Sequence, residues 1–469
     1  MIQTAMAGGL PRDSAGVADC SARAGFQGLR VLASRLAVAL GLATAPVAPA
    51  FAQIVPTQQA APRAGDDDDA PLRAVAGLPG LGGFPGRGLS LTASMLGRYE
   101  SNLGRRQPAD DGYRLRPQLE GAYGLGLGRQ GLYIEGSVAR DIFLNTDRLG
   151  DRDRYAVGAG LAYQLSRCTG QAGASWRRSL QFLTDALDFG GFQQERTGFG
   201  LTASCRLGGA LSVQGSVIRQ LVETERGAGG ALDFNSWAYS AGLGFGNAGL
   251  GNFSLTGSIT DSEMPGRLVI TPTGFQEDGL KQRSVRLGYQ RAIGSRINVA
   301  LGVSYINSAP ILEETLVIVD DVIQIVPREG FEGLGYDVAV DLMISPRLSI
   351  DLTAGRNTFV NPVVGSQFTL ADTYAAAVRY RLNDRYGVAL GISRRNNSFR
   401  GGFVSDVQPF VRISDKIDRI FGQFSANLGR RIHLTLDVTH NRRRSNPAIA
   451  NFTSTGAGLN LSYNFGRGR

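Results

Sequence analysis

Apolar and polar residues alternate one by one along most of this chain, and the alternation restarts after short turns. The clearest stretch runs from Thr373 to Arg395. Tyr374, Ala376, Val378, Tyr380 and Leu382 form one row, while Ala375, Ala377, Arg379 and Arg381 form the other. After Asn383-Asp384, Tyr386, Val388, Leu390 and Ile392 alternate with Gly387, Ala389, Gly391, Ser393 and Arg395. Period two on both sides of a two-residue turn predicts a β-hairpin with one apolar face and one small or charged face. Tyrosines close the apolar rows, where an amphipathic ring suits a membrane interface.

The same unit recurs from Leu89 to the C-terminus, for example in Leu132, Ile134 and Val138, in Tyr155 to Leu165, in Ile297 to Tyr305, and in Leu459 to Phe465. Almost no helical pattern is available to cover the apolar faces. An all-β, transmembrane antiparallel β-barrel over 89–469 follows, with roughly 18 strands and a range of about 16 to 20. The joins alternate as well. Short ones are predicted at Gly128 to Gly131, Arg167 to Gly170, Gly208 to Ala210, Asn247 to Asn252, Gly294 to Arg296, Ser345 to Arg347, Asn383-Asp384 and Gly429 to Arg431. Long polar ones are predicted at Ser101 to Gly112, Asn145 to Arg154, Asp261 to Gly279, Asn307 to Leu334 and Arg442 to Asn451. Short periplasmic turns opposite long extracellular loops are the mark of an outer-membrane barrel, and starting and ending on the short-turn side requires an even strand number.

Composition agrees. Among 469 residues there are 64 Gly, only 2 His and 3 Cys, and 43% are hydrophobic. Glycine at this level favours sheet and turns over helix. Past the N-terminal leader no apolar run reaches the ~18 residues that a spanning helix needs, whereas a barrel strand needs only about 9 to 11. Residues 1–52 read as a signal peptide with a long front: Arg30 and Arg35 flank the apolar stretch Leu36 to Val47, and Ala50-Phe51-Ala52 is an A-x-A cleavage pattern. Residues 53–88 carry Pro56, Pro62, the run Asp66 to Asp69 and a glycine-rich tail, and read as a disordered periplasmic segment. The net charge is +9, and losing the four Arg and two Asp of the leader leaves +7. A basic surface favours acidic partners, of which lipopolysaccharide and acidic polysaccharide both qualify. Dispersed arginines without clustered stacking aromatics argue against nucleic acid.

Enzyme chemistry finds little support. His433 and Asp437 share a face but stand about 13 Å apart at strand rise, too far for a hydrogen-bonded dyad. No CxxC or HxxxH spacing points to a metal, and no cofactor motif is present. Cys168 and Cys205 both fall at short turns, close enough for a disulfide in an oxidising compartment, with two free thiols as the alternative. The polar rows are the candidate site. In a barrel they face the lumen, and they bring inward Arg114, Arg116, Glu120, Glu135, Arg177 and Arg286. They also bring in Asp337, Asp341, Asp351, Arg379, Arg381, Arg395 and Asp437, together with Asn460. Such residues either set the selectivity of a wet channel or pack into a hydrogen-bonded plug. One join stands apart: Ile311 to Val326 holds two β-branched runs around Asp320-Asp321, either a hairpin above the membrane or a loop folded into the lumen.

Two stretches carry a family resemblance. Tyr380 to Ser398 (YRLNDRYGVALGISRRNNS) and Asn441 to Asn446 (NRRRSN) leading to Gly458 to Phe465 (GLNLSYNF) resemble the β-barrel porin type 2 family. That resemblance implies an alphaproteobacterial type of outer-membrane barrel, often linked to capsule or exopolysaccharide export, and no catalytic motif. Phe465 also resembles the closing aromatic of the terminal strand that the barrel assembly machinery reads, although Gly466-Arg467-Gly468-Arg469 follows it. The sequence therefore predicts a non-enzymatic, porin-like channel in a Gram-negative outer membrane that passes or helps export anionic solutes or polysaccharide. A closed, side-chain-filled structural barrel is the alternative.

Overall fold

The computed structural model describes residues 88–466 apart from 106–108, 146–149, 183–190, 225–232, 248, 320–321, 361–365, 401–413 and 447. The predicted leader (1–52) and, but for Gly88, the predicted linker (53–88) lie outside the described residues.

Alternation becomes strand throughout. The first half of the ring is β1 (Gly88–Glu100), β2 (Gly112–Leu127), β3 (Gln130–Leu144), β4 (Arg152–Leu165), β5 (Cys168–Phe182), β6 (Gly191–Gly208), β7 (Leu211–Thr224), β8 (Phe234–Asn247) and β9 (Gly251–Thr271). The chain continues through β10 (Gly274–Ile293), β11 (Ile297–Pro310), β12 (Glu314–Val319), β13 (Val322–Pro327), β14 (Phe331–Ser345), β15 (Leu348–Val360) and β16 (Phe368–Arg381). It ends in β17 (Tyr386–Arg400), β18 (Ser414–Leu428), β19 (Ile432–Asn446) and β20 (Phe452–Asn464). Among the described residues, 18 of these strands form one sheet, with β12 and β13 pairing only with each other in a second sheet. β1 pairs antiparallel with β2 on one side and with β20 on the other, from Thr92↔Asn464 to Glu100↔Gly456, so the sheet closes into a barrel. Closure leaves no edge whose N–H and C=O groups would face hydrocarbon unpaired.

The outer face is apolar because one side of every strand must meet lipid. Val378, Leu390, Ile392, Ile420, Val438, Leu459 and Leu461 all stand exposed on it. Aromatic side chains align across strands near the short turns: Phe245 pairs with Phe253, and Phe253 with Tyr289, whose rings lie 4.9 Å apart. The turns themselves are built by local chemistry. The Asn383 side chain accepts from the backbone N–H of Arg385 at 2.8 Å and of Tyr386 at 2.9 Å, an Asx turn, and Gly429 takes φ 88° where a side chain would be strained.

Four predicted loops, Asn145 to Arg154 among them, shrink because the strands run on past the apolar belt. Asp261 to Gly279 is not a loop: β9 continues to Thr271 and β10 begins at Gly274, with a register shift at Glu277/Asp278. β19 extends through Arg442 to Asn446, and β11 and β14 reach Pro310 and Phe331. Beyond the lipid, ladder hydrogen bonds persist without any need for an apolar outward row, so Glu263, Pro265, Arg267 and Asp278 sit in strand. The segment Ile311 to Val326 forms a hairpin above the belt as a separate sheet: Thr315 donates to the Ile270 carbonyl at 3.1 Å, on the extension of β9, while Ile323 and Ile325 stay exposed.

Candidate functional site: an arginine-lined lumen

Strand parity fixes which residues face inward. On β16 the outward row is Tyr374, Ala376, Val378 and Tyr380, so Thr373, Ala375, Ala377, Arg379 and Arg381 point into the barrel. Along β1–β5 and β15–β20 these inward rows enclose a cavity of about 760 Å³. Six inward arginines line it, Arg98, Arg116, Arg154, Arg177, Arg379 and Arg419, together with the carboxylates Glu120, Asp351 and Asp437, while Glu100 and Asp141 are bonded to Arg98, Arg116 and Arg154. A second cavity of about 500 Å³ at the short-turn end shares Arg379 and Gln423 with the first and adds Arg347, Arg381 and Arg385.

The cavity wall is organised by ion pairs at its long-loop end. Arg98 donates from Nη1 to Asp437 Oδ2 at 2.7 Å, from Nε to Glu100 Oε1 at 2.8 Å and from Nη2 to Thr439 Oγ1 at 2.6 Å. Asp141, fully buried, receives Arg116 Nε at 2.6 Å and Arg154 Nη1 at 3.3 Å. Glycine makes room for such groups: a Cβ on Gly458 would collide with Asp437, and one on Gly302 with both Asp337 and Arg286. Beyond this tier the wall is packed, with Arg114 and the Arg443–Asp415 pair almost wholly buried beside Phe143 and Phe452.

Of the residues the sequence pointed to, Arg116, Glu120, Arg177, Asp351, Arg379, Asp437 and Asn460 line the central cavity, and Arg381 lines the second. Arg379 is paired with Asp351, while Arg177 and Arg381 have no carboxylate partner among the described residues. The others share the inward rows but lie outside both cavities. Arg114 and Glu135 are buried, Arg286 grips Asp337 at 2.8 and 2.5 Å, Asp341 accepts from Asn298 at 3.2 Å, and Arg395 lies over the Phe359 ring. Sequence reading missed Arg98, Arg154 and Arg419. Parity would have found Arg98, which continues the row Ser94, Leu96, but the long join predicted over Asn145 to Arg154 hid Arg154.

The opposite arc is lined by small hydroxyls. In register across β6 to β10 run Thr202, Ser216, Ser240, Ser258 and Ser284. The Oγ atoms of Ser216 and Ser240 are 2.7 Å apart, as are those of Ser258 and Ser284, and Gln214 reaches Thr256 at 3.2 Å. Side chains this short leave lumen volume that long ones would occupy.

At the long-loop end a buried knot ties three connections together. Asp278 accepts Arg328 Nη1 at 2.8 Å and Nη2 at 3.1 Å, pairs with Arg267 Nε at 2.8 Å and accepts Gln367 Nε2 at 2.5 Å. Arg267 also donates to the Ser366 carbonyl at 2.7 Å. Burial pushes the Arg267 guanidinium below the ordinary arginine range, Asp278 pulls it back up and Arg328 lowers it again.

Cys168 and Cys205 are directly opposed on β5 and β6 and joined, S–S 2.11 Å, on the outward face at the short-turn end. His433 meets Asn427 at Nδ1 (2.8 Å) and the Thr435 hydroxyl at Nε2 (3.2 Å), so no carboxylate orients it in the manner of a catalytic dyad. Among the described residues no group of three His, Cys, Asp or Glu is placed to hold a metal ion.

No family model matches the chain, and no curated protein matches it. Solved structures do. OpdK from Pseudomonas aeruginosa is 10% identical with a TM-score of 0.43 over 80% of this chain and 99% of its own. OccK2 (OpdF) from the same organism, in complex with glucuronate, is 10% identical with a TM-score of 0.44 over 81% and 99%. OccAB2 from Acinetobacter baumannii is 11% identical with a TM-score of 0.44 over 80% and 98%. At these distances the assignment of an 18-stranded antiparallel barrel stands on the chain's own strand register, which closes β20 onto β1.

Proposed function

We propose that this chain is a porin-like channel of a Gram-negative outer membrane that favours anionic solutes. The observation that carries the reading is the run of arginines from the central cavity to the short-turn mouth: Arg177 has no carboxylate partner among the described residues, and beyond Arg379 the second cavity sets Arg347, Arg381 and Arg385 against Asp384 alone. A fixed excess of positive charge around a confined aqueous space raises the local concentration of anions and repels cations. The hydroxyl rows of β6 to β10 complement it. A solute bearing both a carboxylate and hydroxyls meets donors for the first on one arc and donor-acceptors for the second on the other. Hydroxy acids, sugar acids and acidic polysaccharide share that chemistry. In this reading the short turns are periplasmic, residues 53–88 form a periplasmic segment, and β20 is the strand presented to the assembly machinery.

Liposome swelling tests this. Vesicles carrying the protein should admit a sugar acid faster than the neutral sugar of the same size, and equal rates would refute the preference.

A second reading, a side-chain-filled structural barrel, is favoured by one observation: the tier holding Arg114, Arg443 and Asp415 is packed rather than wet. It predicts no swelling with any solute.

A further inference from the structure

At the long-loop margin of the outer wall, lipid-facing rows give way to charge, and at two places on the barrel that charge is balanced. Arg140 lies 3.3 Å from Asp151 and 3.6 Å from Asp153, and Lys281 lies 3.5 Å from Asp261. β17 to β19 differ. Their outward rows step from Ile392 to Arg394 and Asn396, from Ile420 to Asp418 and Lys416, and from Val438 through His440 to Arg442 and Arg444. The register sets Arg394 beside Asp418 beside Arg442, and Asn396 beside Lys416 beside Arg444. Four cations therefore share one carboxylate. Asp418 accepts Arg394 Nε at 2.5 Å and Arg444 Nη2 at 3.0 Å, while Lys416 and Arg442 have no ion-pair partner among the described residues. On the neighbouring strand the outward Asp372, opposite Asn396 in register, is held by Arg356 at 2.7 and 3.0 Å. Below the cations lie Ile392 and Ile420 and, past His440, Val438, exposed by 58, 57 and 55%.

A cationic grid seated on an apolar strip matches an amphiphile, not a free ion. Three strands and two residue steps span about 10 Å by 7 Å, the footprint of a phosphorylated sugar headgroup. Guanidinium and ammonium groups supply the charge-assisted donors that phosphate oxygens need, and the isoleucines and valine below offer a bed for acyl chains. We propose that Arg394, Lys416, Arg442 and Arg444 bind the phosphate-bearing headgroup of a glycolipid in the outer leaflet. The inference rests on the outer-membrane reading of the barrel but not on conduction through it.

The test is native mass spectrometry of the protein purified from membranes in detergent, offered diphosphoryl lipid A, its dephosphorylated form, or diphosphoryl lipid A with inorganic phosphate as competitor. Adducts should form with diphosphoryl lipid A, fail with the dephosphorylated lipid and survive millimolar phosphate. They should weaken about tenfold or more in R442Q/R444Q and independently in R394Q/K416Q. They should persist in R283Q, which removes an exposed outward arginine from β10. Heat-modified gel migration shows which variants are folded, and bilayer conductance reads the lumen separately. Folded variants that keep the lipid, equal binding of the dephosphorylated form, or displacement by inorganic phosphate would each overturn the proposal.

Discussion

Asp278 offers the sharpest perturbation of this barrel. Its carboxylate is buried with Arg267 and Arg328 on either side and Gln367 above, so D278N keeps the shape and removes the only carboxylate of the knot's described contacts. Two buried guanidiniums are then left facing each other. Removing one member of a buried, hydrogen-bonded ion pair costs about 3–5 kcal/mol, and here two cations lose the same partner. The loss is local, because the knot ties the β9–β10 hairpin to the connections before β14 and β16 and lies beyond the apolar belt. At about 1.4 kcal/mol per tenfold, even 3 kcal/mol raises the opening equilibrium of these segments about a hundredfold. Hydrogen exchange read by mass spectrometry should show that loss of protection in peptides covering 274–280 and 311–328, with β18 to β20 unaffected. In an R328Q background the same D278N change should cost less, since one uncompensated charge is already gone. Protection unchanged within about twofold in D278N would refute the reasoning.

Other outcomes follow from the lumen and the wall. R177Q/R381Q removes two arginines without carboxylate partners; at ~6 Å in water each charge acts with about 0.7 kcal/mol, roughly halved by screening at 0.1 M salt. Anion and cation feel it with opposite sign, so the anion-to-cation permeability ratio should fall about tenfold, read as a reversal potential. C168S/C205S opens a closure spanning 37 residues and should cost at most about 4 kcal/mol in denaturant unfolding, with selectivity unchanged. G458V drives a side chain into Asp437 and should break its contact with Arg98, altering conductance with the barrel still formed.

Much of this was legible in the sequence, and the reason is lipid. Wherever a strand must show hydrocarbon side chains outward, period two is written into it, as in Tyr374 to Tyr380 or Leu459 to Tyr463, and turn and strand placement followed. Beyond the belt that constraint lapses. Asp261 to Gly279 looked like a polar loop because nothing outward needed to be apolar, yet the ladder continued through it. The same blindness shortened β19 at Arg442 and put Arg154 in a loop. Parity alone was enough to turn Arg116, Arg177, Arg379 and Asp437 inward. It did not distinguish a residue on the cavity wall from one packed behind it, as Arg114 is, because that depends on neighbours from strands far apart in the chain. Asp278 meets Gln367 across 89 residues and Arg328 across 50, and no local pattern records either contact.

The central claim, an open lumen made anion-preferring by its arginines, is tested most directly by single-channel recording of the purified protein in planar bilayers under a salt gradient. Discrete conductance steps with a reversal potential on the anion side are the predicted result. A folded barrel that inserts silently, or conducts with cation preference, would contradict it.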